Sequence, residues 1–123
     1  MSRADTLAVL QTAFNEQVMV RDASLYFPGQ SLKLIQNKVV KPDYSLTFNG
    51  SDVKVINIAE EGPAVGQANP GQFIISFPMF RAVHKDTVLL SMIIHAGNAT
   101  DLYTMVRNGK GAWEIRADQR GKL

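Results

Sequence analysis

A chain of 123 residues with no Cys, 46% hydrophobic and 20% charged residues is long enough for one α+β domain with its own core. The same arithmetic excludes thiol catalysis, thiolate zinc sites and disulfide staples, and runs as short as Val88-Leu89-Leu90 are far from the ~20 apolar residues a transmembrane helix needs. The formal charge of +2 is local: ten Lys+Arg balance ten Asp+Glu up to residue 115, and Arg116, Arg120 and Lys122 against Asp118 supply the excess.

Leu7, Leu10, Phe14 and Val18 step by three and four residues, the stripe of an amphipathic helix, and predict one helix over Ala4 to about Arg21 within residues 1–21. Ser2 and Asp5 have the spacing of a capping box with Asp in place of Glu. Pro28-Gly29 marks a turn into the first strand. From Ser31 the period is two: Leu32 and Leu34 share one face, and Tyr44, Leu46 and Phe48 share another. Asn49-Gly50 then has the residues of a type I′ hairpin turn. Val53 and Val55 alternate, but Ile56 and Ile58 fall on the other parity, the mark of a doubly buried strand or a bulge.

Residues 59–72 hold Gly62, Gly66, Gly71, Pro63 and Pro70 and read as a long functional or mobile loop. Phe73–Phe77, Met79–His84, Thr87–His95, Asp101–Arg107 and Ala112–Arg116 follow as strands of a meander. The expectation is a single N-terminal helix packed on a bent antiparallel sheet of five to seven strands across 31–116, with 117–123 as a basic tail.

Motifs for chemistry are sparse. His84 and His95 are the groups that titrate near neutrality, but a Lys85-Asp86 turn would pair His84 with Thr87 and leave His95 some 27 Å away, at ~3.3 Å per residue. Glu60-Glu61 is the one adjacent acidic pair, with Asp43 or Asp101 as a second carboxylate that folding would have to supply. The three loop glycines lack the Lys-Ser/Thr of a phosphate-binding loop, and no serine has nucleophile-elbow spacing. Asn49-Gly50-Ser51 and Asn98-Ala99-Thr100 match glycosylation acceptors but are turn sequences first. Lys33, Lys38 and Lys41 surround one hairpin without an aromatic stripe for bases, so nucleic acid is not an expected partner. No metal arrangement and no cofactor motif is present, and no catalytic residue is assigned.

Pro78-Met79-Phe80, Asp86-Thr87-Val88-Leu89, Tyr103 through Gly109 and Trp113-Glu114-Ile115 together resemble the C-terminal end of secreted bacterial domains in the cystatin-like and nuclear-transport-factor-2-like group. The resemblance covers about a third of the chain and is structural. Cone-shaped members of that group open with several helices, whereas one helix is expected here. Independently of the resemblance, a sheet that curls around the helix would leave a pocket lined by Phe14, Val18, Phe48, Phe77 and Tyr103 with the 59–72 loop as lid, and His95, Glu60 and Glu61 are the further ligand-binding candidates. The expected function is a non-catalytic binding or protein-interaction module, with a homodimer formed through a sheet edge or face. The alternative is a small ligand-binding or enzymatic domain that uses His95 or His84 with a carboxylate. The compartment follows from what precedes the chain: periplasmic or secreted after removal of a leader, cytoplasmic otherwise.

Overall fold

The computed structural model describes residues 1–123 and opens on the expected cap: Ser2 Oγ accepts from the Asp5 N–H at 3.1 Å and starts α1 (Arg3–Phe14). The reciprocal half of the capping box is not made, because the Asp5 carboxylate turns to Arg107 at 3.3 Å. The single helix is instead two. Glu16 caps a second helix, α2 (Gln17–Tyr26), its Oε2 accepting from the Met19 N–H at 2.6 Å. That restart shifts the inward face by one position, so Met19 and Ala23 are buried where a continuous stripe would have used Val18, which is half-buried. A Glu at the N-cap is unusual enough to hide the break from a periodicity reading.

The sheet is mixed rather than antiparallel. Its order is β4-β1-β5-β6-β7-β8, from β1 (Lys33–Ile35), β4 (Lys54–Ile56), β5 (Ile74–His84), β6 (Thr87–Ile94), β7 (Ala99–Arg107) and β8 (Trp113–Lys122). The three-residue β1 lies parallel to both β4 and β5, and β5 through β8 form the expected antiparallel meander. Side-chain alternation reports faces, not strand direction, so the parallel pair left no mark in the pattern. A separate hairpin, β2 (Thr47–Phe48) and β3 (Ser51–Asp52), closes through Asn49 and Gly50 at φ 50° and 80°, as the Asn-Gly dipeptide required.

Tyr44, Leu46 and Phe48 are all buried, yet only Thr47 and Phe48 are in a strand. The Gln11 amide takes the place of a neighbouring strand here. It accepts from the Thr47 N–H at 2.9 Å and donates to the Thr47 carbonyl at 2.8 Å. Gln30 does the same at the entry to β5, accepting from the Phe73 N–H and donating to the Gly71 carbonyl, both at 3.0 Å.

Register shifts mark three bulges. One lies between Ser76 and Met79, where Pro78 sits without breaking β5, and one between Ala82 and His84. The third sits where Met105 pairs with Ile115 while Thr104 pairs with Ala117, leaving Arg116 as the extra residue. Beyond it Asp118, Arg120 and Lys122 share the face of Tyr103, Asp101 and Ala99. The expected basic tail is therefore strand through Lys122, paired along β7.

The core lies between the helices and the face of the sheet that carries Phe73, Ile75, Phe77, Val88, Leu90, Met92, Tyr103 and Met105. Phe14 stands at its centre, 6.1 Å from the Phe48 ring and 5.4 Å from Phe77. The 59–72 stretch is ordered around a short helix, α3 (Ala64–Ala68), whose Val65 is buried. It packs on the turn after β6, so close that a Cβ on Gly66 would overlap the His95 carbonyl oxygen. No helix is long and apolar enough to cross a membrane.

Candidate functional site

The space between helices and sheet is filled at one end and open at the other. Under α1 the rings of Phe14, Phe48 and Phe77 pack to completion. Under α2 a cavity of about 540 Å³ remains, within the size range of small-molecule sites. Its apolar wall comes from Met19, Ala23 and Phe27 on the helical side and from Phe73, Met92 and Ile94 on the sheet. Phe73 is fixed by stacking on Phe27, with centroids 4.5 Å apart.

The polar side of the cavity is built by β7, β8 and the start of α2. Asp101 and Tyr103 alternate with Leu102 on β7, so both face inward, and they are 7% and 1% exposed. The bulge at Arg116 turns Arg120 to the same side. Its guanidinium reaches Asp118 at 3.0 Å, Glu16 at 3.4 Å and Asp101 at 3.5 Å. The other Asp101 oxygen, Oδ1, is buried with no hydrogen-bond donor within 3.5 Å, and the Tyr103 hydroxyl beside the carboxyl is a minor influence that favours its charged form. Burial first, and the charge of Asp118 second, push the Asp101 carboxyl from its ordinary 3.8 up to about 6. Burial and the neighbouring Asp101 and Glu16 charges push the Tyr103 phenol up in turn, so it remains protonated throughout the neutral range.

Of the eight expected site residues, Tyr103 alone lines this cavity. Phe14, Phe48 and Phe77 belong to the solid core, Val18 is half-buried beside it, and Glu60 and Glu61 stand exposed ahead of α3. Of the 59–72 stretch only Gly71 touches the cavity, because α3 lies against the His95 turn. His84 pairs with Thr87 at the exposed turn, as the sequence predicts. His95 is 3% exposed and hydrogen-bonded through Nε2 to Ser76 Oγ at 2.8 Å, with Nδ1 unpartnered. Burial lowers its pKa and keeps the ring neutral. Ser76 and His95 are thus in contact but line neither of the two principal cavities.

The sequence offers Asp101 only as a second carboxylate and places Arg120 in the expected basic tail. The signal for Asp101 was its parity: Ala99, Asp101, Tyr103 and Met105 alternate on one face, which places an acid among core residues. Arg120 had no such signal, since a bulge reverses the parity expected from Trp113 and Ile115. No group of three or more His, Asp or Glu side chains is arranged to hold a metal ion. No protein-family model matches the chain, and no curated protein or solved structure is detectably similar to it.

Proposed function

We propose that this chain is a non-catalytic binding domain whose partner is a small molecule held between α2 and the sheet. The observation that carries the reading is the cavity under α2, with apolar walls and a small set of convergent polar groups at one side, the composition typical of ligand sites. The sheet edges favour a small molecule over a strand-adding partner: β4 is three residues long, and β8 carries Arg116, Asp118, Arg120 and Lys122, both features that discourage edge pairing.

The test is to fill the space. Nile red, a neutral dye whose emission rises and shifts to the blue in apolar surroundings, is expected to bind saturably at one site per chain. Ala23→Trp, which places an indole in the cavity from a residue only 8% exposed, is expected to abolish that signal in a chain whose circular dichroism is unchanged. Equal dye binding by the filled variant would show that the cavity is not the site.

A further inference from the structure

The wall of the cavity holds one buried side-chain oxygen that the fold leaves without a close hydrogen-bond partner. Asp101 Oδ1 is buried with no hydrogen-bond donor within 3.5 Å, the Tyr103 hydroxyl offsets the carboxyl's burial only in small part, and Oδ2 has the Arg120 Nε only at 3.5 Å. A buried carboxylate is costly unless a donor or a cation reaches it. Arg120 is already divided between Glu16 and Asp118, both nearer to it than Asp101 is, and half of its side chain is in solvent. Glu16, Asp101 and Asp118 set against Arg120 and Lys122 leave an excess of one negative charge, three against two. Asp22, on the α2 rim, has Arg21 at 3.6 Å as a partner of its own. Met19, Phe73, Met92 and Ile94 keep the surroundings apolar, which strengthens any charge pair formed there.

We infer that the cavity takes an amphiphilic amine, its ammonium group against the Asp101 carboxyl and its hydrocarbon body against Met19, Phe73, Met92 and Ile94. This rests on the reading of the cavity as a ligand site and adds the chemical class of the ligand. An ammonium supplies both the missing donor and the missing charge. A hydroxyl supplies a donor without the charge, and a carboxylate or phosphate meets Oδ1 with like charge.

The groups facing Asp101 are Glu16 at the start of α2, Tyr103 on the same strand, and Asp118, Arg120 and Lys122 on β8. Because the Asp101 carboxyl titrates near 6, an ammonium ligand must displace its proton in acid. Amine affinity is expected to fall roughly tenfold between about pH 7.5 and about pH 5.

Three probes with one apolar body separate the possibilities: adamantylmethylamine, adamantylmethanol and adamantanecarboxylate, titrated calorimetrically into the full chain. The amine is expected to bind at least about tenfold more tightly than the alcohol, with the carboxylate weakest. In Asp101→Asn the amine is expected to fall to the affinity of the alcohol, while alcohol binding persists and reports an intact cavity. Equal affinities for all three, a preference for the carboxylate, or an amine preference that survives Asp101→Asn would overturn the inference and leave the cavity standing as a ligand site. Failure of all three probes together with Nile red would remove the ligand-site reading and the inference with it.

Discussion

Burial acts on His95 and Asp101 with opposite consequences for stability. Both favour their neutral forms in the fold, His95 with a lowered pKa and Asp101 with one raised from 3.8 to about 6. For His95 the unfolded chain binds the proton more readily, so stability falls as pH drops through about 6.5, the ordinary imidazole value. For Asp101 the folded chain binds it more readily, so its contribution is complete below 3.8 and is lost as pH rises through 6. The two partly offset between about pH 4 and pH 6. Asp101→Asn removes a strained ionised group and is expected to stabilise the unliganded chain at pH 7 by on the order of 1–3 kcal/mol. The same variant is expected to lose stability more steeply on acidification, since His95 then titrates unopposed. Urea unfolding at pH 7, 6 and 5 checks both points: equal stabilities at pH 7 would refute the first, and parallel profiles for the two proteins the second. His95 could be singled out from composition because so few groups titrate near neutrality, but its burial against Ser76 depends on a register between β5 and β6 that no local pattern contains.

Among the elements, the segment that looked most like a free loop is pinned by its backbone. α3 approaches the His95 carbonyl through a position where only a glycine fits, at ordinary φ, so the constraint is contact rather than conformation. Gly66→Ala is expected to cost about 1–3 kcal/mol, as overpacking does in cores, measured by chemical denaturation. Gly62→Ala, at φ 57° with nothing within 4 Å, isolates the conformational cost for comparison. A cost for Gly66→Ala no larger than for an exposed loop substitution would show that α3 sits loosely. Turns written in dipeptides were legible, the Asn49-Gly50 hairpin above all. Elements defined by side chains standing in for backbone were not: the Glu16 cap divides one apparent helix into two, and Gln11 pairs with Thr47 as a strand would.

For the whole molecule, an α+β architecture was readable because one helical stripe preceded several period-two segments, and the β5–β8 meander followed from its turns. The parallel insertion of β1 was not, since three residues carry no directional information. The distinction matters most at the C-terminus. A truncation after Arg116 would be silent for a loose tail, but here it removes the half of β8 that pairs with residues 99–104, together with Arg120 and Lys122. It is expected to lower the unfolding midpoint markedly and to abolish dye binding. Unchanged values for both would contradict the pairing.

β8 has, in effect, a reading frame. Its first inward residues are Trp113 and Ile115, and strict alternation from them would bring Ala117, Gln119 and Gly121 to the cavity, three residues with no charge. The one unpaired residue at the bulge shifts the frame, and the strand reads Asp118, Arg120 and Lys122 inward instead. Loss of Arg116 with closure of the ladder would keep the charged frame, whereas ironing the bulge flat with Arg116 retained would select the blank one. A neutral slot and a charged site are thus encoded in the same ten residues, and the choice between them is made by pairing.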